Sequence, residues 1–324
     1  MAGPRMRGLW LEGGTLRLRA DLALPEPPTS EARIAVLRAG VCGTDLEMVK
    51  GYYPFRGVPG HEFVGRVDSA PGHEPWVGRR VVGEINAVCR RCETCRAGRS
   101  RHCEARTVLG ILGRDGAFAE CLALPVDNLH AVPEGVADET VVFAEPVAAA
   151  LEIQEQVRIG PGDRVVVVGD GRLGNLVAQT LALAGCDLLV VGRHPAKLDL
   201  LASRGIRTGR AEDAPPRRAD VAVECTGAPE GFEVARRSLR PRGTLVLKST
   251  YAGTPALNLS PIVVDEVTVV GSRCGPVDAA LELLASGRID TAPLVHARYP
   301  LEEAVQAFAH AARPGVLKVL VTAG

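Results

Sequence analysis

The chain has 324 residues, enough for about two domains. Hydrophobic residues make up 46% and charged residues 23%, and 38 basic side chains balance 38 acidic ones, the composition of an ordinary globular protein. There is no basic excess to engage nucleic acid or an acidic membrane surface. The opening MAGPRMRGLWLEGG has no signal-peptide core, and the most apolar stretch, 176–191, is interrupted by Gln179, Thr180, Gly185 and Asp187. A cytoplasmic protein that binds neither nucleic acid nor membrane is expected.

In chain order, the first part reads as β-rich and irregular. Short apolar runs at Ile34–Leu37, Val64–Val67 and Val81–Val82 are punctuated by Gly and Pro, as in antiparallel sheets with turns. Cys42-Gly43-Thr44-Asp45 and Gly60-His61-Glu62 stand within it, and Glu145-Pro146 closes it. A thiolate, an imidazole and carboxylates form the mixed donor set of a metal site that keeps one position open. Each of these residues alone has a plainer reading, as core or as a hydrogen-bonded side chain.

Four of the nine cysteines, Cys89, Cys92, Cys95 and Cys103, are packed into a short Arg-rich loop. In a reducing compartment such a cluster speaks for metal rather than disulfides. Four thiolates match a closed tetrahedral zinc site, and they would also suit an iron–sulfur cluster. Arg90, Arg91, Arg96, Arg99 and Arg101 offset their charge. Cys121, Cys186 and Cys274 read as small buried apolar residues.

Beyond Glu145 the texture changes. The β-branched run Val165–Val168 suits a strand buried on both faces. It leads into Gly169-Asp170-Gly171-Arg172-Leu173-Gly174 and then a helix over Leu173–Ala184. A G-x-G-x-x-G between strand and helix lets backbone N–H groups and the helix dipole face a pyrophosphate. Strands at Leu188–Val191, Val221–Glu224, Thr244–Leu247 and Val267–Val270 alternate with helical patterns, which predicts a doubly wound parallel sheet. A helix over Val277–Leu284 and a strand over Val316–Val321 follow.

The end of the second strand usually carries an acid for the ribose hydroxyls. Here the place belongs to Gly192, followed by Arg193 and His194. Arg193 can pair with a 2′-phosphate, so NADP is expected over NAD. The plainer reading of Arg193 is a solvated surface residue.

In this order, CGTD, GHE, the four cysteines, Ala144-Glu145-Pro146, G-x-G-x-x-G, Val223-Glu224-Cys225-Thr226-Gly227 and Lys318 resemble the medium-chain zinc-dependent alcohol dehydrogenase family, in its polyol, sugar and threonine dehydrogenase-like branch. The resemblance covers essentially the whole chain. It implies a β-rich GroES-like catalytic domain over 1–146 and 274–324, with a structural-zinc lobe at about 86–106, and a Rossmann cofactor domain over 147–273. It implies two zinc ions per chain. Cys42 and His61 hold the catalytic one, with Glu62 and Glu145 as third ligand or exchanging with water. Cys89, Cys92, Cys95 and Cys103 hold the structural one. Thr44 takes the substrate proton.

Many relatives carry His three residues after that Thr. Here the position is Glu47, so either Glu47 relays the proton or the cofactor's ribose hydroxyl does. Besides Gly169, Gly171, Arg172, Leu173, Gly174, Gly192, Arg193 and His194, the resemblance points to Cys225, Thr226, Gly227, Ser249, Ser272 and Arg273 around the cofactor, with Lys318 at the pyrophosphate. Tyr52, Tyr53, Phe55 and Asn86 are candidate pocket residues.

The expected activity is hydride transfer between an alcohol or carbonyl and NAD(P), by a homodimer or homotetramer joined through edges of the cofactor sheet. Two other readings compete: a zinc-free enone or quinone reductase on the same fold, and a non-catalytic NADP-binding protein.

Overall fold

The computed structural model describes residues 3–250 and 254–323. The chain divides into two compact units, Met1–Glu145 with Val277–Gly324, and Pro146–Pro276. These divisions fall one and three residues from the boundaries expected from sequence.

The first unit is built on a seven-stranded sheet. Its path runs Leu129–Ala131, Arg80–Gly83, Glu62–Ser69, Glu31–Gly40, Lys318–Thr322, Val295–Pro300, with Cys121–Pro125 also pairing Glu31–Gly40. Most neighbours are antiparallel, and the tail strand returns to pair Glu31–Gly40. Alternation fixes the register: Ala32, Ile34 and Val36 are buried while the residues between them are part-exposed. The C-terminal helix Ala304–Ala311 closes this core, with Phe308 edge-on to Phe118 at 5.0 Å between ring centroids. A hairpin of Arg5–Glu12 and Thr15–Ala23 precedes the sheet. It lies outside the elements expected from sequence.

The second unit is a six-stranded, all-parallel sheet in the order Arg207–Gly209, Asp187–Val191, Arg164–Val168, Ala219–Glu224, Leu239–Leu247, Thr268–Gly271. Numbered within the sheet this is 3-2-1-4-5-6, the doubly wound order whose ligands bind beyond the carboxyl ends of the strands. Val165–Val168 are all buried, as a central strand covered on both faces requires. The helix after the glycine turn spans Arg172–Ala182. Among the described residues no helix is long and apolar enough to cross a membrane. Cys274 is buried as expected, whereas Cys121 and Cys186 are only half-buried, at the sheet surface and after a helix end.

Candidate active site

Helix Gly43–Val49 starts at Cys42, whose backbone N–H donates to Asp45 Oδ2 at 2.8 Å. Asp45 therefore caps the helix from its third position. Its other oxygen stands 3.3 Å from His61 Nδ1. Both residues are buried, Asp45 completely. A carboxylate this close to one ring nitrogen can orient the imidazole once an ion takes the other. The sequence motif contains Asp45 but assigns it no role. The signal is nevertheless present: an acid three residues after a candidate metal-ligating Cys at a helix start.

His61 is delivered by Gly60, which has φ of 102°. A Cβ there would lie 2.6 Å from the Phe118 ring, so only glycine allows this approach. Glu62 opens the strand Glu62–Ser69 directly after His61, and their donor atoms lie with Cys42 Sγ within 4.8 Å of one another. Glu62 Oε1 is buried without a hydrogen-bond partner among the described residues. A buried carboxylate oxygen, a thiol and an imidazole converging in this way fit a divalent cation. Burial works against a charged His61, but the negative charges of Asp45 and Cys42 outweigh it and raise the imidazole well above its usual range.

Glu145 is not one of the three converging donors. It still feels the charges of His61 and Glu62, and burial pushes its carboxyl up to about 7.

Lys318 corrects an expectation. It is 1% exposed, donates to Glu62 Oε2, and sits 5.3 Å from the Phe143 ring centroid. Its charge is spent inside the first unit rather than standing free for a pyrophosphate. Glu47 pairs with Lys50 at 2.7 Å at the end of helix Gly43–Val49. Thr44 is half-buried in the first turn of the same helix. Asn86 also departs from its expected pocket role: it is 1% exposed, and its amide donates to Glu84 Oε1 at 2.6 Å. Tyr52 and Phe55 are half-buried and Tyr53 is exposed.

The four clustered cysteines are free and converge within 4.8 Å. Cys103 Sγ is 3.4 Å from Cys89 Sγ and 3.8 Å from Cys92 Sγ. Thiolates about 2.3 Å from a central zinc stand about 3.8 Å apart in a tetrahedron, far beyond a disulfide bond. Backbone N–H groups of Arg91 and Cys92 pull Cys89 down to about 6, while burial and the neighbouring thiols push Cys95 up to about 12. The cluster thus resists four negative charges unless a cation joins it.

In the second unit the glycine turn is as tight as its motif requires. A Cβ on Gly174 would lie 2.0 Å from Gly169 O. Gly192, Arg193 and His194 follow the neighbouring strand end, with Arg193 exposed. Glu224, fully buried, accepts from Thr226 N at 2.6 Å, Thr226 Oγ1 at 2.5 Å and Gly227 N at 3.1 Å. Ser249 Oγ accepts from Gly227 N at 2.9 Å, and Lys248 Nζ reaches Ala149 O and Ser272 Oγ. Cys225 is half-buried, and desolvation, reinforced by Glu224, raises its thiol. The Arg273 guanidinium meets Cys274 Sγ at 3.2 Å.

Residues 28–134 match the family described as alcohol dehydrogenase GroES-like domain, and residues 173–286 match zinc-binding dehydrogenase. A sorbitol dehydrogenase of Halalkalibacterium halodurans is 30% identical over 92% of this chain and 93% of its own. The chain belongs to the medium-chain zinc-dependent alcohol dehydrogenase family. An L-threonine 3-dehydrogenase of Streptomyces coelicolor is also 30% identical, over 94% of this chain and 93% of its own. Among solved structures, a Sinorhizobium meliloti protein bound to NADP superposes with a TM-score of 0.90 at 29% identity, covering 98% of this chain and 99% of its own. This dehydrogenase therefore falls in the polyol and sugar branch of the family, whose members act on alcohol groups with zinc and a nicotinamide cofactor.

Proposed function

We propose that this dehydrogenase takes two zinc ions and uses NADP to interconvert a secondary alcohol and a ketone on a polyol, sugar acid or hydroxy amino acid. The observation that carries the proposal is the convergence of Cys42 with the buried His61 and Glu62, with Asp45 beside the imidazole. Relatives named for sorbitol, galactonate and threonine support the substrate class. Cys42, His61 and Glu62 or Glu145 would hold the catalytic ion, and Cys89, Cys92, Cys95 and Cys103 the structural one. Zinc bound there would supply Lewis-acid polarisation of an alcohol or carbonyl oxygen, and a bound nicotinamide would supply the hydride acceptor or donor.

The chain's own residues do the rest. Asp45 fixes the His61 ring. Thr44 Oγ1 takes the hydroxyl proton as the alcohol is oxidised. Lys318 balances the charge of Glu62. In the second unit the turn 169–174 and the loop Cys225–Gly227 hold the dinucleotide, the loop stiffened by Glu224. The converging donor set favours this reading over a zinc-free reductase. The four clustered thiols, converging as a metal site would have them, suit a reducing cytoplasm. Leu259, Val263, Val264 and Val269 are exposed beside the edge strand Thr268–Gly271, which supports a homo-oligomer joined there.

The test combines metal analysis with a screen of polyols, sugar acids and hydroxy amino acids against NADP and NAD. Two zinc ions per chain and turnover abolished by Cys42→Ser in a folded protein are expected. A Cys42→Ser enzyme that keeps the full rate would overturn the proposal.

A further inference from the structure

We propose that Asp170 is a positioning residue that sets the dinucleotide preference, by latching the turn Gly192–His194 so that Arg193 meets the adenosine 2′-phosphate. This rests on the reading of the second unit as an NADP site.

Asp170 is the first variable residue of the glycine motif and is only 6% exposed. Its Oδ2 accepts from the backbone N–H of Arg193 at 2.7 Å and of His194 at 2.6 Å. His194 Nδ1 lies 3.0 Å from Oδ1 and 3.1 Å from Oδ2. The contact depends on residue 192 having no side chain. A Cβ on Gly192 would sit 2.5 Å from both Cβ and Oδ2 of Asp170. The carboxylate usually supplied by the end of the second strand is thus replaced by one from the glycine turn, aimed at the backbone of its neighbour.

Two consequences follow. A carboxylate has about four acceptor positions, and most of those on Asp170 are taken by the turn it holds. It cannot also serve both hydroxyls of an NAD ribose, which removes the usual reward for the unphosphorylated cofactor. The charge balance points the same way. Arg172 and Arg193 lie near enough to Lys197 to act on its ammonium, and Lys197 feels the Asp170 carboxylate in turn. Several cations around one committed carboxylate leave a positive balance for a dianionic phosphate, and the exposed Arg193 fork can reach it.

The experiment titrates the whole chain with adenosine 2′,5′-bisphosphate and with 5′-AMP by calorimetry, so that no turnover is needed. Two variants break the latch from opposite sides without changing net charge: Gly192→Ala, whose methyl displaces the carboxylate, and Asp170→Glu, whose longer arm cannot make the same bonds. Arg193→Ala is the reference for losing the phosphate contact itself.

The wild type is expected to prefer the bisphosphate at least tenfold. Each latch variant should lower that ratio about tenfold, with the bisphosphate losing more affinity than 5′-AMP. If Arg193→Ala loses the preference but both latch variants keep it, the role of Asp170 is overturned and the NADP reading stands. If a latch variant weakens both ligands equally, Asp170 is merely structural and the proposal fails. If the wild type binds 5′-AMP as tightly as the bisphosphate, the NADP reading falls and the proposal with it.

Discussion

Replacing Glu145 by Gln should remove a pH-dependent weakness from the metal-free protein. Burial, helped by the negative charges of Glu62 and Glu84 and opposed by His61 and Lys318, moves this carboxyl from 4.5 to about 7. A carboxyl raised on folding binds more protons in the native state than in the unfolded chain. Stability therefore falls as pH rises between the two values and is level above them. At about 1.4 kcal/mol per pH unit the loss is about 3 kcal/mol, and somewhat less because the side chain keeps some contact with solvent. The glutamine amide carries no titrating proton, so the variant lacks this slope. In a catalytic unit of roughly 190 residues, 1 kcal/mol moves Tm by about 2–4 °C. Between pH 5 and 8 the metal-free variant should gain on the wild type by about 6–12 °C. The assay is thermal unfolding of chelator-treated protein, followed by a signal from the catalytic unit. With zinc bound the ion supplies the missing counter-charge, so the loaded wild type should lose the slope. A gap between variant and wild type that stays constant from pH 5 to 8 in the metal-free protein would refute the reasoning.

Lys318→Met leaves Glu62 buried without its partner, and removing one member of a buried pair costs about 3–5 kcal/mol. Urea unfolding of the catalytic unit should show it, and a loss below about 1 kcal/mol would mean that the pair is not closed in solution. Cys103→Ser, at a fully buried thiol of the four-cysteine lobe, should release one of two zinc equivalents and lower Tm while the other ion stays; metal analysis on the folded variant checks this. Val264→Lys places a charge on the 79% exposed apolar residue beside the edge strand. Sedimentation velocity should then report a smaller assembly than wild type with the same zinc content, and an unchanged sedimentation coefficient would move the interface elsewhere.

What is legible in the sequence is what depends on near neighbours. Val165–Val168 announces a central strand because four β-branched residues in a row suit only a position covered on both sides. The glycine turn and the cysteine lobe are legible for the same reason: their ligand geometry is set within six and fifteen residues of chain. The hairpin Arg5–Glu12 with Thr15–Ala23 is not, because its second strand is mostly exposed and has no continuous apolar run to mark it.

Charged side chains are harder, and Lys318, Asp45 and Asp170 show why. The role of a charge is decided by what neutralises it, and that partner is rarely close in sequence. Lys318 reads as a ligand for the pyrophosphate through the family resemblance and because lysines are scarce here. Its neutralising group is Glu62, 256 residues earlier. Asp45 can be seen as a helix cap, but its hold on His61 exists only once the strand Glu62–Ser69 is in place. Asp170 reads as a spacer between two glycines, because nothing local says that the neighbouring strand will end in a residue without a side chain at the one point where a carboxylate can enter. In each case the charge is written in the chain and its counterpart is brought to it by the fold. A buried ionisable residue whose local motif offers no partner is therefore the place where a motif-based reading of this family most needs a structure.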